Sequence, residues 1–209
     1  MWALVQDNEI AELINKPKGM VIGDTRHSRK IFELWSKEEL ESIGIYDVVF
    51  DDTNKKDQEW YINTDQSFNF ADGQVTASYG TATPKQINDT FWTQEDADDD
   101  LCSDDEVGKL KTKGVKSRLK ENIKQDASAL ITPTDWYVIK ANEIDDYSVP
   151  SKVTTFRADV RTKSNEMETA IENASDISAL ETLYTYVNNG TEQNPIWERP
   201  LGEFPTLEI

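Results

Sequence analysis

Polar and apolar positions change period along this chain, and the change divides it. The most consistent stretch runs from Leu130 to Ala174. In LITPTDWYVIKANE, Thr132 is placed to cap a helix, Pro133 to be its first residue and Asp135 to return a side-chain bond three residues after the cap. Trp136, Ile139 and Ala141 are expected on one face, and the polar run Asn142 to Ser148 ends that helix before Pro150. A second helix restarts at the proline. Its Val153, Phe156, Val160, Met167 and Ile171 fall at separations of three, four, seven and four residues, one apolar stripe of a 3.6-residue period. Such a stripe needs a partner surface.

Two neighbours carry the same period. Val115, Leu119, Ile123, Ala127 and Leu130 recur at intervals of four, four, four and three, which predicts a helix before the first. Ile177, Leu180, Leu183, Tyr184 and Val187 predict a fourth, ended by Asn188-Asn189-Gly190. The C-terminal half is therefore expected to be a helical hairpin array. Beyond it, TEQNPIWERPLGEFPTLEI spaces Pro195, Pro200 and Pro205 five apart, with Trp197, Leu201, Phe204 and Leu207 between them. Proline bars both a helix and a central strand there, so an extended tail is expected, its apolar residues lying on the chain's own helices or on a partner.

The N-terminal part reads with period two. Trp2 to Val5 and Ile10 to Ile14 flank the turn-forming Asp7-Asn8, which predicts an opening hairpin. Short strands are expected at Met20 to Gly23 and His27 to Phe32, after the break at Pro17 and Gly19. In SKEELESIG, Ser36 caps, Glu39 follows three residues later and Gly44 closes a small helix. Ile45 to Phe50, Gln58 to Ile62 and Gln74 to Tyr79 read as further strands, the last entered through Asp72-Gly73. The expected fold class is α+β. A small, mostly β domain with one short helix spans 1–93, an acidic-to-basic linker 94–113, a helical module 114–190 and the tail 191–209.

Composition bounds what this architecture does. The 209 residues suffice for one good core or two small ones, and 37% apolar with 30% charged residues is polar for a globular chain. Six Trp, seven Tyr and seven Phe argue for a folded but thinly cored protein. A formal charge of -18 opposes non-specific attraction to nucleic acid or to an anionic membrane, so protein or neutral surfaces are the expected partners. No run reaches the length of a membrane span, and MWALVQDNEI lacks the basic and apolar regions of an export signal, so the chain is expected to stay where it is made.

Candidate chemistry is sparse. His27, the only histidine, stands in TRHSRK with no spaced nucleophile signature, and reads as structural or surface. With one His and one Cys, the usual zinc ligand set cannot be filled without several carboxylates. Cys102 lies in LCSDDE, where neighbouring acids disfavour a thiolate. Asp96, Asp98 and Asp100 have the spacing that opens a calcium loop, but Leu101 takes the glycine position and Val107 the closing glutamate position. No metal or cofactor is expected. After this acidic run come Lys109, Lys111, Lys113, Lys116, Arg118, Lys120 and Lys124, without interleaved aromatics. A solvated, self-neutralising pair of segments, or an acidic lead-in to a helix, fits them better than a phosphate-binding track. Trp35, Trp60 and Trp92 read as packing anchors, and most Trp residues are expected to be buried. With 40 Asp and Glu, carboxylate pairs at glycosidase spacing arise by chance, so they carry no weight for an enzyme.

The run from Leu130 to Leu183 resembles the helical region near the C-terminus of tail-fibre assembly and tail-associated proteins of tailed bacteriophages. The elements that carry the likeness are Pro133 to Trp136, Pro150 with Phe156-Arg157, and Ser175-Asp176. The opening KGMVIGDTRHSRKIFELWSKEELESIGIYDVVFDD is also similar to phage tail proteins. The resemblance implies a non-enzymatic role in the virion or its assembly: attaching fibres to the tail or baseplate, or keeping fibre subunits soluble as they assemble. It implies the host cytoplasm, or the virion tail, as the place of action, and a fibre or baseplate protein as partner, with several copies per virion compatible. The acidic stretch departs from compact assembly proteins. Trp136, Phe156, Val160, Met167, Trp197 and Phe204 are the candidate partner-binding residues. A host-surface glycan-binding module using Trp as stacking platforms, or a tail polysaccharide hydrolase, is the alternative.

The stripe from Val153 to Ile171, whose alternating spacing breaks at Lys163 and Ser164, is too short to choose between packing within one chain and a coiled coil between copies, and the intramolecular helix array is the expectation. Light scattering is expected to give a monomer mass independent of concentration at full helicity. A trimer that loses helicity on dilution would refute this.

Overall fold

The computed structural model describes residues 1–207 and combines α and β structure in two compact units, Met1–Thr83 and the chain from Pro84 onward.

The first unit is built on a five-stranded sheet. Strands β1 (Trp2–Gln6) and β2 (Glu9–Ile14) form the expected hairpin. Its turn holds Asp7 and Asn8 at φ 52° and 63°, the left-handed pair whose twist matches flanking strands. Strands β3 (Met20–Ile22) and β4 (Thr25–His27) make a second hairpin. Helical turns α1 (Ile31–Leu34) and α2 (Lys37–Ser42) follow. The capping box of α2 is complete: Ser36 N donates to Glu39 Oε2 at 2.7 Å and Glu39 N to Ser36 Oγ at 3.2 Å. Gly44 then turns at φ 84° so closely over β1 that a Cβ would stand 2.6 Å from the Val5 carbonyl oxygen. Strands β5 (Ile45–Asp51), β6 (Tyr61–Ile62), β7 (Gln66–Ala71), β8 (Gln74–Tyr79) and β9 (Thr83–Pro84) complete the set. The sheet order is β2-β1-β5-β8-β7, antiparallel except for β5 beside β8, and it curls until β2 nears β7.

Alternation along the strands sends side chains to two cores. Leu4, Ile14 and Ile45 meet Met20, Ile31 and Leu40 on the face covered by α1 and α2. Ala3, Val5, Val48, Val75 and Ala77 line the other face, closed by Phe68 and Phe70. Two expected strands differ. His27 to Phe32 ends as strand at His27, and Ile31 and Phe32 enter α1, because Ile31 turns under the sheet and Phe32 packs on Trp2 at 4.9 Å between ring centroids. Of Gln58 to Ile62 only Tyr61–Ile62 is strand, since Asp57 accepts from the Trp60 and Tyr61 backbones and draws them into a turn. Strand β7 was not expected, although Gln66, Phe68 and Phe70 alternate inward along it.

In the second unit, the ribbon β10 (Thr90–Phe91) with β11 (Leu110–Thr112) brackets the acidic run. That run is mostly exposed, as a solvated segment should be, but it is ordered: α3 (Gln94–Asp98) is capped by Thr93, and a 3-10 turn at Asp104–Glu106 by Ser103. Helix α4 (Val115–Ile131) passes through a 3-10 turn at Thr132–Thr134 into α5 (Asp135–Glu143). Helices α6 (Ser151–Asn173) and α7 (Ile177–Tyr184) follow, then the small ribbon β12 (Val187–Asn188) with β13 (Trp197–Glu198).

Helices α4 and α6 run antiparallel, as contacts from Lys116 to Glu172 near one end and from Ile131 to Arg157 near the other require. Val115, Leu119, Ile123 and Ala127 are buried on α4, and Val153, Phe156, Val160, Met167 and Ile171 on α6. Ser164, also buried, fills the gap in the α6 stripe and bonds Glu168 one turn on. The expected helix start at Thr132 does not occur. Thr132 is itself helical and donates its hydroxyl to the Ser128 carbonyl, so α4 continues through the proline, whose missing N–H is tolerated in a tightened turn. Val187, expected in the fourth helix, lies in β12. The tail is extended only in part: β13 pairs back on β12, Arg199 to Gly202 is a turn, and Leu201 is buried.

The two apolar sets predict opposite mutational outcomes. Ile171→Ala, at a fully buried position, should cost about 2–5 kcal/mol in denaturant unfolding. Ile139→Ala, on exposed α5, should stay within about 0.5 kcal/mol of wild type.

Candidate functional site

Helix α5 is where the second unit presents apolar surface. None of its residues is buried, and Trp136, Val138 and Ile139 are 50%, 44% and 56% exposed, with Ile144 just beyond at 48%. Trp136 and Ile139, expected on one face, stand one turn apart on α5, and that face is exposed. Four consecutive apolar residues, Trp136 to Ile139, step around a helix by about 100° each, so no one neighbouring surface covers them.

What positions α5 is a polar knot at its start. Arg157 Nη1 donates to Asp135 Oδ1 at 2.7 Å, to Thr134 Oγ1 at 2.6 Å and to the Ile131 carbonyl at 3.2 Å. Thr134 is buried and donates its own hydroxyl to the Ile131 carbonyl. Arg157 thus ties α6 to the α4–α5 corner. Asp135, expected to return a capping bond, is the carboxylate of this pair. Around α5, Trp136 and Tyr137 hold their rings 3.8 Å apart at 32°, and Lys140 lies over Trp136 at 5.8 Å and over Tyr147 at 4.3 Å.

A second exposed group sits on the β12–β13 ribbon, where Tyr186, Val187, Ile196 and Trp197 are 46–61% exposed. Arg199 anchors its base between Tyr184 and Tyr186, 5.5 and 5.4 Å from their rings, and pairs with Glu203 at 2.8 Å. Tyr186 also donates to Glu203, which holds its hydroxyl above the usual tyrosine range.

The six candidate partner-binding residues separate accordingly. Trp136 and Trp197 are on the surface. Phe156, Val160 and Met167 are buried between α4 and α6, with Phe204 packed over Phe156 and Val160. Phe204 is partly buried against Phe156 and Val160. The burial expected of most Trp residues is not found: Trp60 is buried at 4% exposure, Trp2 and Trp92 are partly buried, and Trp35, Trp136 and Trp197 are exposed. Val138, Ile139, Ile144 and Ile196 were missed, and the unbroken apolar run in DWYVIKANE is the signal that marks the first two.

The charged segments are occupied by one another. Lys111 pairs with Asp96 at 2.5 Å and lies over Trp92 at 4.4 Å; Lys109 pairs with Asp105 at 3.2 Å. Farther on, Lys113 pairs with Glu121, Lys120 with Glu172 and Lys124 with Glu168. Asp89 caps α4, accepting from Gly114 N at 2.7 Å and from Ser117 Oγ at 2.9 Å, and these bonds hold its carboxyl below the usual range. Cys102 is partly buried, and that burial, with Asp96 and Glu106 beside it, raises its thiol pKa. His27 stands edge-on to Trp35 at 5.6 Å. Among the described residues, no group of three or more His, Cys, Asp and Glu is arranged to hold a metal ion. No protein family, curated protein or solved structure matches this chain.

Asp96 provides a pH test. The Lys111 bond first, then the Thr93 backbone and hydroxyl, lower its carboxyl from 3.8 to about 2. A depressed acid stabilises the fold above its unfolded pKa, and that contribution is lost as pH falls through the folded one. Asp96→Asn should melt below wild type at pH 6, and the difference should vanish between pH 3.8 and about 2. A difference that persists unchanged at pH 2 would contradict the assignment.

Proposed function

We propose that this protein is a non-enzymatic bacteriophage tail component or assembly factor that binds a tail fibre or its attachment site, presenting α5 and the β12–β13 ribbon to that partner. In this reading the C-terminal half is a helical hairpin array, and its corner and partly extended tail are the presented parts. The observation that carries it is α5 itself, a nine-residue helix with Trp136, Val138 and Ile139 exposed and no buried residue. A helix of this length is marginal alone, and exposed aromatic and aliphatic side chains on a rigidly anchored element are typical interface anchors. The resemblance of Pro133 to Trp136 and Phe156-Arg157 to tail-associated proteins supports the fibre as the partner. Those residues also include Arg157, which fixes α5. The action belongs to the host cytoplasm during assembly or to the virion tail.

One observation favours the glycan-binding reading: Trp136 and Trp197 are exposed, and Trp136 offers a ring beside Tyr137. Stacking on sugar would use those same faces.

Co-purification from infected cells separates the versions. The wild-type protein should travel with free fibre if it is an assembly factor and with particles in fixed stoichiometry if it is a tail component. Trp136→Ala with Ile139→Ala should reduce recovery at least tenfold without loss of helicity. Association with neither fibre nor particles would remove the proposal, and retention on host polysaccharide lost in Trp136→Ala would replace it with the glycan reading.

A further inference from the structure

Residues 204–207 of the tail lie in a groove of their own unit. After Leu201, which is buried and bonded through its N–H to the Leu183 carbonyl, the chain turns at Gly202 beside Lys163 and runs over α6 toward that helix's start, Pro205 to Leu207 lying by Ser151 to Asp159. Phe204 and Leu207 pack on Ala127, Phe156 and Val160 and leave the floor of the groove apolar. Among the described residues, Phe204 to Leu207 make no backbone hydrogen bond, and Pro205 has no N–H to give. Hydrophobic contact holds this stretch, with Arg199–Glu203 as its upstream anchor. Open troughs of 340 Å³ flank the segment on either side of Asp159 and Pro205. An extended, proline-stiffened segment laid in an apolar groove is a recognised mode of peptide docking, and it is sensitive to competition because no ladder of hydrogen bonds secures it.

We propose that the groove over Ala127, Phe156 and Val160 docks an extended Phe-Pro-x-Leu segment of a partner protein, and that Phe204 to Leu207 occupy it in cis as a displaceable strap. The segment seated in the groove states the ligand chemistry: two apolar side chains three residues apart, a proline that prevents folding back, and an acid just upstream, placed as Glu203 is toward Arg199. Net charge opposes filling the groove from a second copy, since each chain carries -18. The inference does not depend on the partner being a phage fibre.

The probe is a fluorescent peptide of residues 203–209, EFPTLEI, titrated into the intact chain and into a chain truncated after Gly202. A tethered segment competes at roughly millimolar effective concentration, so the truncated chain should bind the peptide at least tenfold more tightly than the intact one. Full-length Phe204→Ala with Leu207→Ala should bind like the truncation, and a peptide with both substitutions should not bind. Equal binding to intact and truncated chains would overturn the proposal, as would no binding to a truncated chain of unchanged helicity. Unfolding of both the truncation and the double variant would make the strap an inseparable part of the core and overturn it equally. A dimer of the intact chain abolished by the double substitution would assign the groove to a second copy instead.

Discussion

The burial of one helical stripe against another is what the second unit depends on. Val153, Phe156, Val160, Met167 and Ile171 on α6 close over Val115, Leu119, Ile123 and Ala127 on α4, and hydrophobic burial is the dominant favourable contribution to such a unit. Lys113, Lys120 and Lys124 then pair with acids on α4 and α6. Exposed pairs of this kind are screened and add little stability, but Lys120 to Glu172 and Lys124 to Glu168 fix direction and register between the helices. Much of the basic run is occupied in this way, Lys113, Lys120 and Lys124 by acids of the helix pair and Lys109 and Lys111 by acids of the preceding segment.

From that packing follows the position of the exposed surface. Arg157 stands on α6 one residue past buried Phe156, and from there its guanidinium reaches the last turn of α4 and the first residue of α5. One side chain joins the core to the corner. An exposed helix is tied at its base to a rigid support, which is the arrangement a recognition element needs: little conformational freedom is lost when a partner covers it.

The tail shows the same economy in a weaker form. Leu201 is buried with its N–H on the Leu183 carbonyl, while Phe204 and Leu207 pack their side chains on Phe156 and Val160. Apolar surface near the α4–α5 corner is thus present in two states of cover, permanently open on α5 and closed by a strap over Phe156. Both fit the proposed role, in which a strongly acidic body meets a partner through apolar contact.

Much of this was legible locally. The Asp7-Asn8 and Asp72-Gly73 hairpins, the Ser36 capping box and the stripes of α4 and α6 are short-range facts, in which turn chemistry and side-chain period act within one or two turns of chain. The absence of a familiar nucleophile or zinc spacing was equally a matter of residues and intervals. Which stripe found which partner was not, because burial belongs to pairs of elements distant in the chain. Thr132 had every local mark of a cap, yet the corner that Arg157 stabilises kept it helical. Phe156, Val160 and Met167 had the character of interface anchors, and α4 covered them, while Trp136 and Trp197 were left on the surface. The sequence by itself marked the Asp7-Asn8 and Asp72-Gly73 turns, the α2 cap and the stripes of α4 and α6; only the tertiary structure decided which apolar faces stayed open, since exposure depends on what other part of the chain arrives to exclude water.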